Sequence, residues 1–278
     1  MSSAPGQTDL QAALPEAGRG PARQPRGGLR ELCLLVGVYV AYTVVRSFAD
    51  SDLSPAQHAA GNLLGIERRL GLDVEAGAIH LLLHSELAAV AASVWYSAAH
   101  YIVTPLVLVA IYRHRPHLYA PVRRGLLVAT CAALVGFLLM PTAPPRLVGP
   151  PFVDVLATTS DYGWWGGHAS VPPAMASLTN DLAAFPSMHC GWALWVALAT
   201  WAATSSTALR VAAWSYAVIT AVVVVVTGNH WVLDVLAGWA LVAVVTWASL
   251  RLAVPHPRAD ESEPTSSPVE TDQVLPAG

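Results

Sequence analysis

The chain has 278 residues, of which 54% are hydrophobic and only 12% are charged, whereas an ordinary soluble domain carries about 25% charged residues. This composition predicts an integral membrane protein. All 15 basic residues are arginine, so any chemistry that depends on a lysine is excluded, and the formal net charge of −3 leaves no basic surface for nucleic acid.

The two ends of the chain differ from its middle. Residues 1–28 are rich in Gly, Pro and Ala and lack an apolar period, which predicts a disordered cytoplasmic arm. Residues 29–254 are predicted to form one six-span membrane domain. Residues 255–278 turn polar again and are predicted to form a disordered acidic tail.

Six apolar stretches are long enough to cross about 30 Å of hydrocarbon, which takes about 20 helical residues. They cover residues 30–49, 87–112, 122–140, 188–206, 209–228 and 230–253. Residues 56–85 mix apolar and charged side chains, which predicts helices lying at the membrane interface. The predicted fold is therefore an all-α bundle of six transmembrane helices, with interfacial helices between the first two spans.

The arginines orient these spans, because cytoplasmic loops carry an excess of positive charge. With both termini in the cytoplasm, eleven arginines lie on the cytoplasmic side, and only Arg46, Arg68, Arg69 and Arg146 lie outside. This orientation places the turn 227–230 and the loop 141–187 on the extracytoplasmic face. We expect the functional site there, in a multi-pass protein of a bacterial plasma membrane.

Titratable side chains cluster beside this face. His230 and Asp234 stand four residues apart, so on a helix they would share one face with their Cβ atoms about 5–6 Å apart. The carboxylate could then hold one imidazole nitrogen and leave the other free. His189 lies 41 positions before His230, about one crossing and its return, which predicts both histidines at one membrane level. Ser187 and Asn229 stand where helix N-caps would stand, and a helix N-terminus suits a phosphate.

Two features of the outer loop add to this cluster. Three prolines in residues 141–145 predict a rigid turn that aims Arg146 from the membrane edge, where a guanidinium would match a phosphate with paired donors; the alternative is an arginine that merely reaches for water. The glycine-rich segment 161–168 carries Trp164 and Trp165, which predicts either a lid at the level of the lipid headgroups or a passive interfacial anchor.

Other roles are open for the histidines. Each one alone could be an interfacial packing residue, and His230 with Asp234 could form only a structural hydrogen bond. His189, His230 and Asp234 could also bind zinc, but no further ligand is obvious, and the serine and arginine nearby favour an anion. We therefore predict neither a metal nor a cofactor.

The motifs resemble those of a known family. Pro186-Ser187-Met188-His189 followed by His230-x-x-x-Asp234 resembles the second and third signatures of the type 2 phosphatidic acid phosphatase superfamily. Pro141-Thr-Ala-Pro-Pro-Arg146 is similar to its inositol phosphorylceramide synthase-like, or inositolphosphotransferase-like, branch. The resemblance covers about residues 30–252. The shorter pieces that agree with the branch are Glu67-Arg-Arg-Leu-Gly71 with Glu75, Tyr96-x-x-x-His100-Tyr101, Arg113-x-x-Pro116 with Tyr119, and Arg123.

The resemblance implies a role for each residue of the two histidine motifs. His230 would be the nucleophile that forms a phosphohistidine, and Asp234 would orient it. His189 would protonate the leaving oxygen. Ser187 and Arg146 would bind the phosphoryl oxygens. A histidine held by a carboxylate is an activated nucleophile, and a second histidine can supply acid catalysis, so the chemistry agrees.

The chain departs from the superfamily at two adjacent positions of the third signature. The usual Ser-Arg pair is replaced by Val223 and Val224, and the lysine of the first signature is also absent. Arg146 would then carry more of the phosphate binding, with His100 or His168 as candidates to assist it. His100 lies near the middle of a span, so it could equally be a buried, hydrogen-bonded residue.

These observations predict a membrane-embedded lipid phosphatase or phosphotransferase. Its substrate would be a phospholipid, polyprenyl or sphingolipid phosphate, and the phosphoryl group would pass to water or to an alcohol such as inositol or a sugar. The alternative is a non-catalytic transporter or scaffold that kept the fold. Against a transporter, the polar groups gather at one face and no internal repeat is found. The sequence indicates no oligomeric state.

Overall fold

A computed structural model describes residues 27–47, 52–165 and 182–253, and within these ranges the protein is helical with no strand, as predicted. The predicted tail and nearly all of the predicted arm lie outside the described residues. The α-helices are α1 (Gly28–Ser47), α2 (Leu53–Leu70), α3 (Glu75–Leu83), α4 (Glu86–His114), α5 (Pro116–Leu139), α6 (Val155–Thr158), α7 (Met188–Ala203), α8 (Thr207–Val226) and α9 (Val232–Arg251).

Four of the described helices, α4, α5, α8 and α9, are long and apolar enough to cross a membrane. They fit the predicted membrane protein. The other two predicted spans correspond to α1, with 20 residues, and α7, with 16 residues. At about 1.5 Å per residue α7 is about 24 Å long, which is less than the hydrocarbon thickness of about 30 Å. The count of six spans stays a prediction.

Helices α2 and α3 occupy the region predicted to lie at the interface. The Asp52 side chain caps α2 by accepting the N–H of Ser54 at 3.1 Å, and the helix ends where Gly71 adopts a φ of 67°. Glycine takes this left-handed conformation without steric cost, so the chain can reverse there. The reversal brings Glu67 and Glu75, both fully buried, against the N-terminus of α9.

Helix α5 begins six residues before residue 122, where the apolar pattern predicts the start of the span. Pro116 occupies the start of the helix, where a missing N–H costs nothing. The additional turn and a half includes Tyr119, whose hydroxyl donates to Glu31 of α1 at 3.3 Å. The Arg123 guanidinium pairs with the same carboxylate. Because Glu31 neutralises Arg123, the helix can extend past this charged residue, although the apolar pattern alone predicts that the helix starts there.

Helix α9 packs closely on α5 and α7 at glycines. A Cβ on Gly125 of α5 would lie 3.1 Å from the Cα of Thr246, and one on Gly238 of α9 would lie 2.1 Å from the carbonyl oxygen of Ser187. Small residues allow the backbones of membrane helices to approach each other. The first turn of α7 is therefore held against the first turns of α9, where the site residues lie.

Candidate functional site

The segments that the sequence assigns to one membrane face meet at one end of the helices. They are residues 141–148 after α5, residues 182–187 before α7 and residues 227–231 between α8 and α9. A short parallel bridge joins the first two, with the N–H of Ala184 donating to the carbonyl of Thr142 at 3.2 Å. The site is thus assembled by backbone hydrogen bonds between loops that lie far apart in the sequence.

Arg146 lies on a 3₁₀ turn, Pro145–Leu147, that is fixed to the histidine segment. Its N–H donates to the carbonyl of Gly228 at 2.9 Å, and Gly228 has a φ of 72°, which a residue with a side chain rarely adopts. The guanidinium Nη1 lies 3.3 Å from the Asp154 Oδ2, and the side chain is 10% exposed. Nothing in the sequence pattern indicates that Asp154 is the partner of this arginine.

His230 is buried, with its ring held at one nitrogen. Its Nδ1 lies 3.0 Å from the carbonyl oxygen of Ala184 and 3.4 Å from the Oδ2 of Asp234. A carbonyl oxygen can only accept, so Nδ1 carries the hydrogen and Nε2 carries the lone pair. The ring is therefore held by a backbone carbonyl as well as by the carboxylate, and the sequence alone does not indicate the carbonyl.

The prediction that His230 and Asp234 share one face of a helix is wrong, although their side chains do meet. Helix α9 begins at Val232, and Trp231 is its N-cap with an extended ψ of 155°. Asp234 is the third residue of the helix, and its Oδ2 accepts the Trp231 N–H at 2.8 Å. The carboxylate thus caps its own helix and reaches back to the histidine.

His189 lies next to His230, as the 41-residue spacing predicts. It is the second residue of α7, and the centroids of the two imidazole rings are 5.7 Å apart. The His189 ring is half-buried and stacks on the Tyr96 ring of α4 with centroids 4.4 Å apart, and it lies nearly perpendicular to the His100 ring with centroids 4.5 Å apart. A small group placed between the two histidines would be within reach of both.

Of the two expected helix caps, one is found. Ser187 is the N-cap of α7, with its hydroxyl accepting the N–H of Cys190 at 3.4 Å, and it is fully buried. Asn229 is not a cap, because the chain turns at Gly228 and α9 starts only after Trp231. Its side-chain amide donates instead to the Thr227 hydroxyl at 2.9 Å.

The remaining candidates occupy different environments. His100 is 6% exposed and lies among aromatic rings of α4 and α7. Trp164 is 48% exposed, whereas Trp165 is 1% exposed and donates its indole N–H to the Thr159 hydroxyl at 3.0 Å. His168, with Gly166 and Gly167 of the predicted lid, lies outside the described residues.

A family model described as the PAP2 superfamily matches residues 61–248, which is more than half of the chain. The chain belongs to the PAP2 superfamily. This superfamily generally comprises phosphatases and phosphotransferases, so membership points to phosphatase-type activity. No curated protein and no solved structure matches the chain. The inositol phosphorylceramide synthase-like branch stays a prediction.

In this PAP2 superfamily member, the valine that replaces the usual arginine of the third signature packs among apolar side chains. Val224 is fully buried and packs with Cys190, Val225 and Val235. Its carbonyl accepts the N–H groups of the next turn, including that of His230 at 3.1 Å. An arginine at this position would be buried among apolar side chains, which is costly for a charge without a partner.

Two residues of the branch resemblance, Glu67 and Glu75, are fully buried carboxyl groups beside the site. The Oε1 of Glu75 accepts the N–H of Val232 at 2.9 Å, and the Oε1 of Glu67 accepts the N–H of Leu233 at 2.8 Å. Burial raises the pKa of Glu67 to about 8, and burial also raises the pKa of Glu75. The interfacial segment also carries Arg68, Arg69 and Asp73, so its charge pattern alone does not distinguish the two glutamates, and the short resemblance pieces are the signal that could have identified them.

A zinc site receives no support from the described residues. Among the described residues, no group of three or more His, Cys, Asp or Glu side chains has an arrangement that could hold a metal ion. The His230 Nδ1 donates to the Ala184 carbonyl and lies beside the Asp234 carboxylate, and the Asp234 Oδ2 accepts a backbone N–H. The arrangement suits an activated nucleophile with a neighbouring acid better than a metal centre.

Proposed function

We propose that the protein is a membrane-embedded lipid phosphatase or phosphotransferase that acts through a phosphohistidine at His230. The observation that carries this proposal is the His230 ring, which donates from Nδ1 to the Ala184 carbonyl and to Asp234 and has His189 5.7 Å away between ring centroids. A held imidazole with a second imidazole beside it is the arrangement that nucleophilic and acid catalysis require.

In the first step, the Nε2 lone pair of His230 attacks the phosphorus of a lipid phosphate. The bond between phosphorus and the lipid oxygen breaks, and His189 in its protonated form gives a proton to that oxygen. The phosphorylated ring then carries a positive charge, which Asp234 and the Ala184 carbonyl stabilise at Nδ1. The first product is the lipid alcohol.

In the second step, an acceptor oxygen attacks the phosphohistidine. His189, now neutral, takes the proton from water or from an alcohol such as inositol or a sugar, and the bond between phosphorus and Nε2 breaks. Water gives free phosphate, and an alcohol gives a new phosphate ester. In both steps Arg146 and Ser187 would contact the phosphoryl oxygens, and a guanidinium offers two parallel donors to such a group.

We also propose six spans with cytoplasmic termini and an extracytoplasmic site. The excess of arginine on one side supports this orientation. The meeting of residues 141–148, 182–187 and 227–231 supports a site at one end of the helices. Substrates that reside in the membrane fit this position, and we infer a phospholipid, polyprenyl or sphingolipid phosphate as the donor.

The first test is turnover by the full-length protein purified in detergent. A panel of lipid phosphates is offered with and without inositol, and free phosphate and lipid products are measured. Phosphate release without an alcohol indicates hydrolysis, whereas product formed only with inositol indicates transfer. Absence of turnover on every lipid phosphate would support the non-catalytic alternative.

The second test addresses the nucleophile. His230→Ala should abolish turnover and the phosphoryl-enzyme trapped by rapid alkaline quench. His80→Ala, at an exposed histidine of α3, serves as the matched control and should keep wild-type rates. Full turnover by His230→Ala would disprove the assignment of the nucleophile.

A further inference from the structure

The first turn of α9 is held by three carboxyl groups from three different helices. Glu75 of α3 accepts a hydrogen bond from the N–H of Val232, and Glu67 of α2 accepts one from the N–H of Leu233. Asp234 of α9 accepts one from the N–H of Trp231. All three carboxyl side chains belong to fully buried residues. The two glutamates therefore contact the same helical turn that contains Asp234 and that follows His230 in the sequence.

Three buried anions at this place would repel each other and a phosphate substrate. A helix N-terminus favours negative charge, but only to the extent of about half an elementary charge. Glu67 and Glu75 face each other, and the Oε2 atom of each is buried without a hydrogen-bond partner. One proton held between the two glutamates would satisfy both atoms and remove one charge.

Deepening the proposed function and resting on it, we propose that Glu67 and Glu75 form a proton-sharing carboxyl pair that holds the first turn of α9 and thereby positions His230 and Asp234 for catalysis. Both are positioning residues, because they act through the backbone of α9.

The electrostatic surroundings agree with a protonated pair. The charged groups that face Glu67 are Glu75 from α3 and Asp234 from α9, and Asp234 in turn faces His230. Burial is the main cause that raises the pKa of Glu67 to about 8, and its two carboxyl neighbours raise it further. At neutral pH the pair therefore holds its proton, and it loses this proton as the pH rises through about 8.

The proton distinguishes this role from an ordinary helix cap. Glu67→Gln keeps an oxygen for the Leu233 N–H and keeps a donor towards Glu75, but it does not titrate. Glu67→Ala removes both. Asp73→Asn is the matched control, because Asp73 lies on the same connection between α2 and α3 and is 44% exposed.

Infrared spectroscopy of the full-length protein in detergent tests the shared proton. We expect the C=O band of a protonated carboxylic acid that titrates with a midpoint near 8, is lost in Glu67→Gln and is kept in Asp73→Asn. If no such band titrates in this range, or if Glu67→Gln leaves it unchanged, the proton-sharing pair is overturned.

Turnover of the best lipid phosphate tests the positioning role. Glu67→Ala should lower kcat by about 10²-fold, the loss expected for a misplacement of about 1 Å, with a smaller effect on KM. Glu67→Gln should restore most of kcat at neutral pH and move the alkaline decline of kcat near pH 8 to higher pH. Equal kcat in wild type and Glu67→Ala would overturn the positioning role.

The two readouts separate this proposal from the proposed function. The infrared band requires no turnover, so a protein that shows the band but cleaves no lipid phosphate retains the pair and loses both the His230 assignment and the positioning role. A protein that turns over without a titrating band retains the proposed function and loses the pair. Should Glu67→Ala fail to fold, Glu67→Gln alone decides through its band and its pH profile.

Discussion

Replacing Gly238 by alanine should impair catalysis far more than folding. The added Cβ would lie 2.1 Å from the carbonyl oxygen of Ser187 and 3.0 Å from its carbonyl carbon. An unstrained carbon–oxygen contact is about 3.3 Å or longer, so α7 and α9 must move apart by about 1 Å. The obstructing atoms are backbone atoms, so no side-chain rotation can relieve the contact.

The expected magnitudes follow from this displacement. Overpacking of this kind lowers the free energy of unfolding by about 1–3 kcal/mol, and a glycine-to-alanine change within a helix raises it by about 1 kcal/mol. The net loss of stability is therefore up to about 2 kcal/mol. The same displacement separates His189 at the start of α7 from His230 before α9. A misplacement of about 1 Å costs about 10²-fold in rate, so kcat should fall to about a hundredth of the wild-type value.

The assay is kcat on a lipid phosphate together with thermal unfolding in detergent. Gly61→Ala is the matched control, because Gly61 lies on α2 with open space around its Cα, and it should be neutral or stabilising by up to about 1 kcal/mol without a change in kcat. Wild-type kcat in Gly238→Ala would refute the reasoning, since the catalytic geometry would then not depend on the contact between α7 and α9.

Three further outcomes are expected. Trp231→Phe removes the indole N–H that donates to the Ala143 carbonyl at 2.9 Å, which should cost about 1–3 kcal/mol in thermal unfolding, whereas Trp247→Phe at a 57% exposed position should cost nothing measurable. Arg146→Lys loses paired donors and should raise KM for a lipid phosphate about tenfold in steady-state kinetics. The pKa of Glu67 is raised from 4.5 to about 8, so between these two pH values the folded protein keeps a proton that the unfolded chain loses. The stability of the folded protein should therefore fall as the pH rises from about 4.5 to about 8. Melting temperatures recorded against pH should show this fall in the wild type and a smaller fall in Glu67→Gln.

The helices and the pairing of the histidines could be predicted from the sequence. Apolar runs report burial in a membrane directly, so the stretches 87–112 and 209–228 differ from α4 and α8 by only two residues or fewer at each end. The spacing of His189 and His230 matches the combined length of α7 and α8 and the turns beside them, which requires only the rise per residue of a helix.

The hydrogen bonds that fix the site could not be predicted in the same way. The donor from His230 reaches the carbonyl of Ala184, and nothing in the side chain of an alanine indicates this role. Glu67 and Glu75 bind backbone N–H groups more than 150 positions away. Such contacts depend on how the helices pack, whereas periodicity reports only which side of one helix is apolar.

The occupied N-terminus of α9 changes where a phosphoryl group would bind. A helix N-terminus usually offers its first N–H groups to an anion, but here carboxyl groups take those N–H groups. The N-terminus of α7 differs, because its cap is the neutral hydroxyl of Ser187 and its first turn carries His189. We therefore expect the phosphoryl group to lie against the start of α7, with its charge met by the dipole of that helix and by Arg146. Because Val224 stands where the superfamily usually has an arginine, we expect this arrangement to depend on Arg146 as its cation.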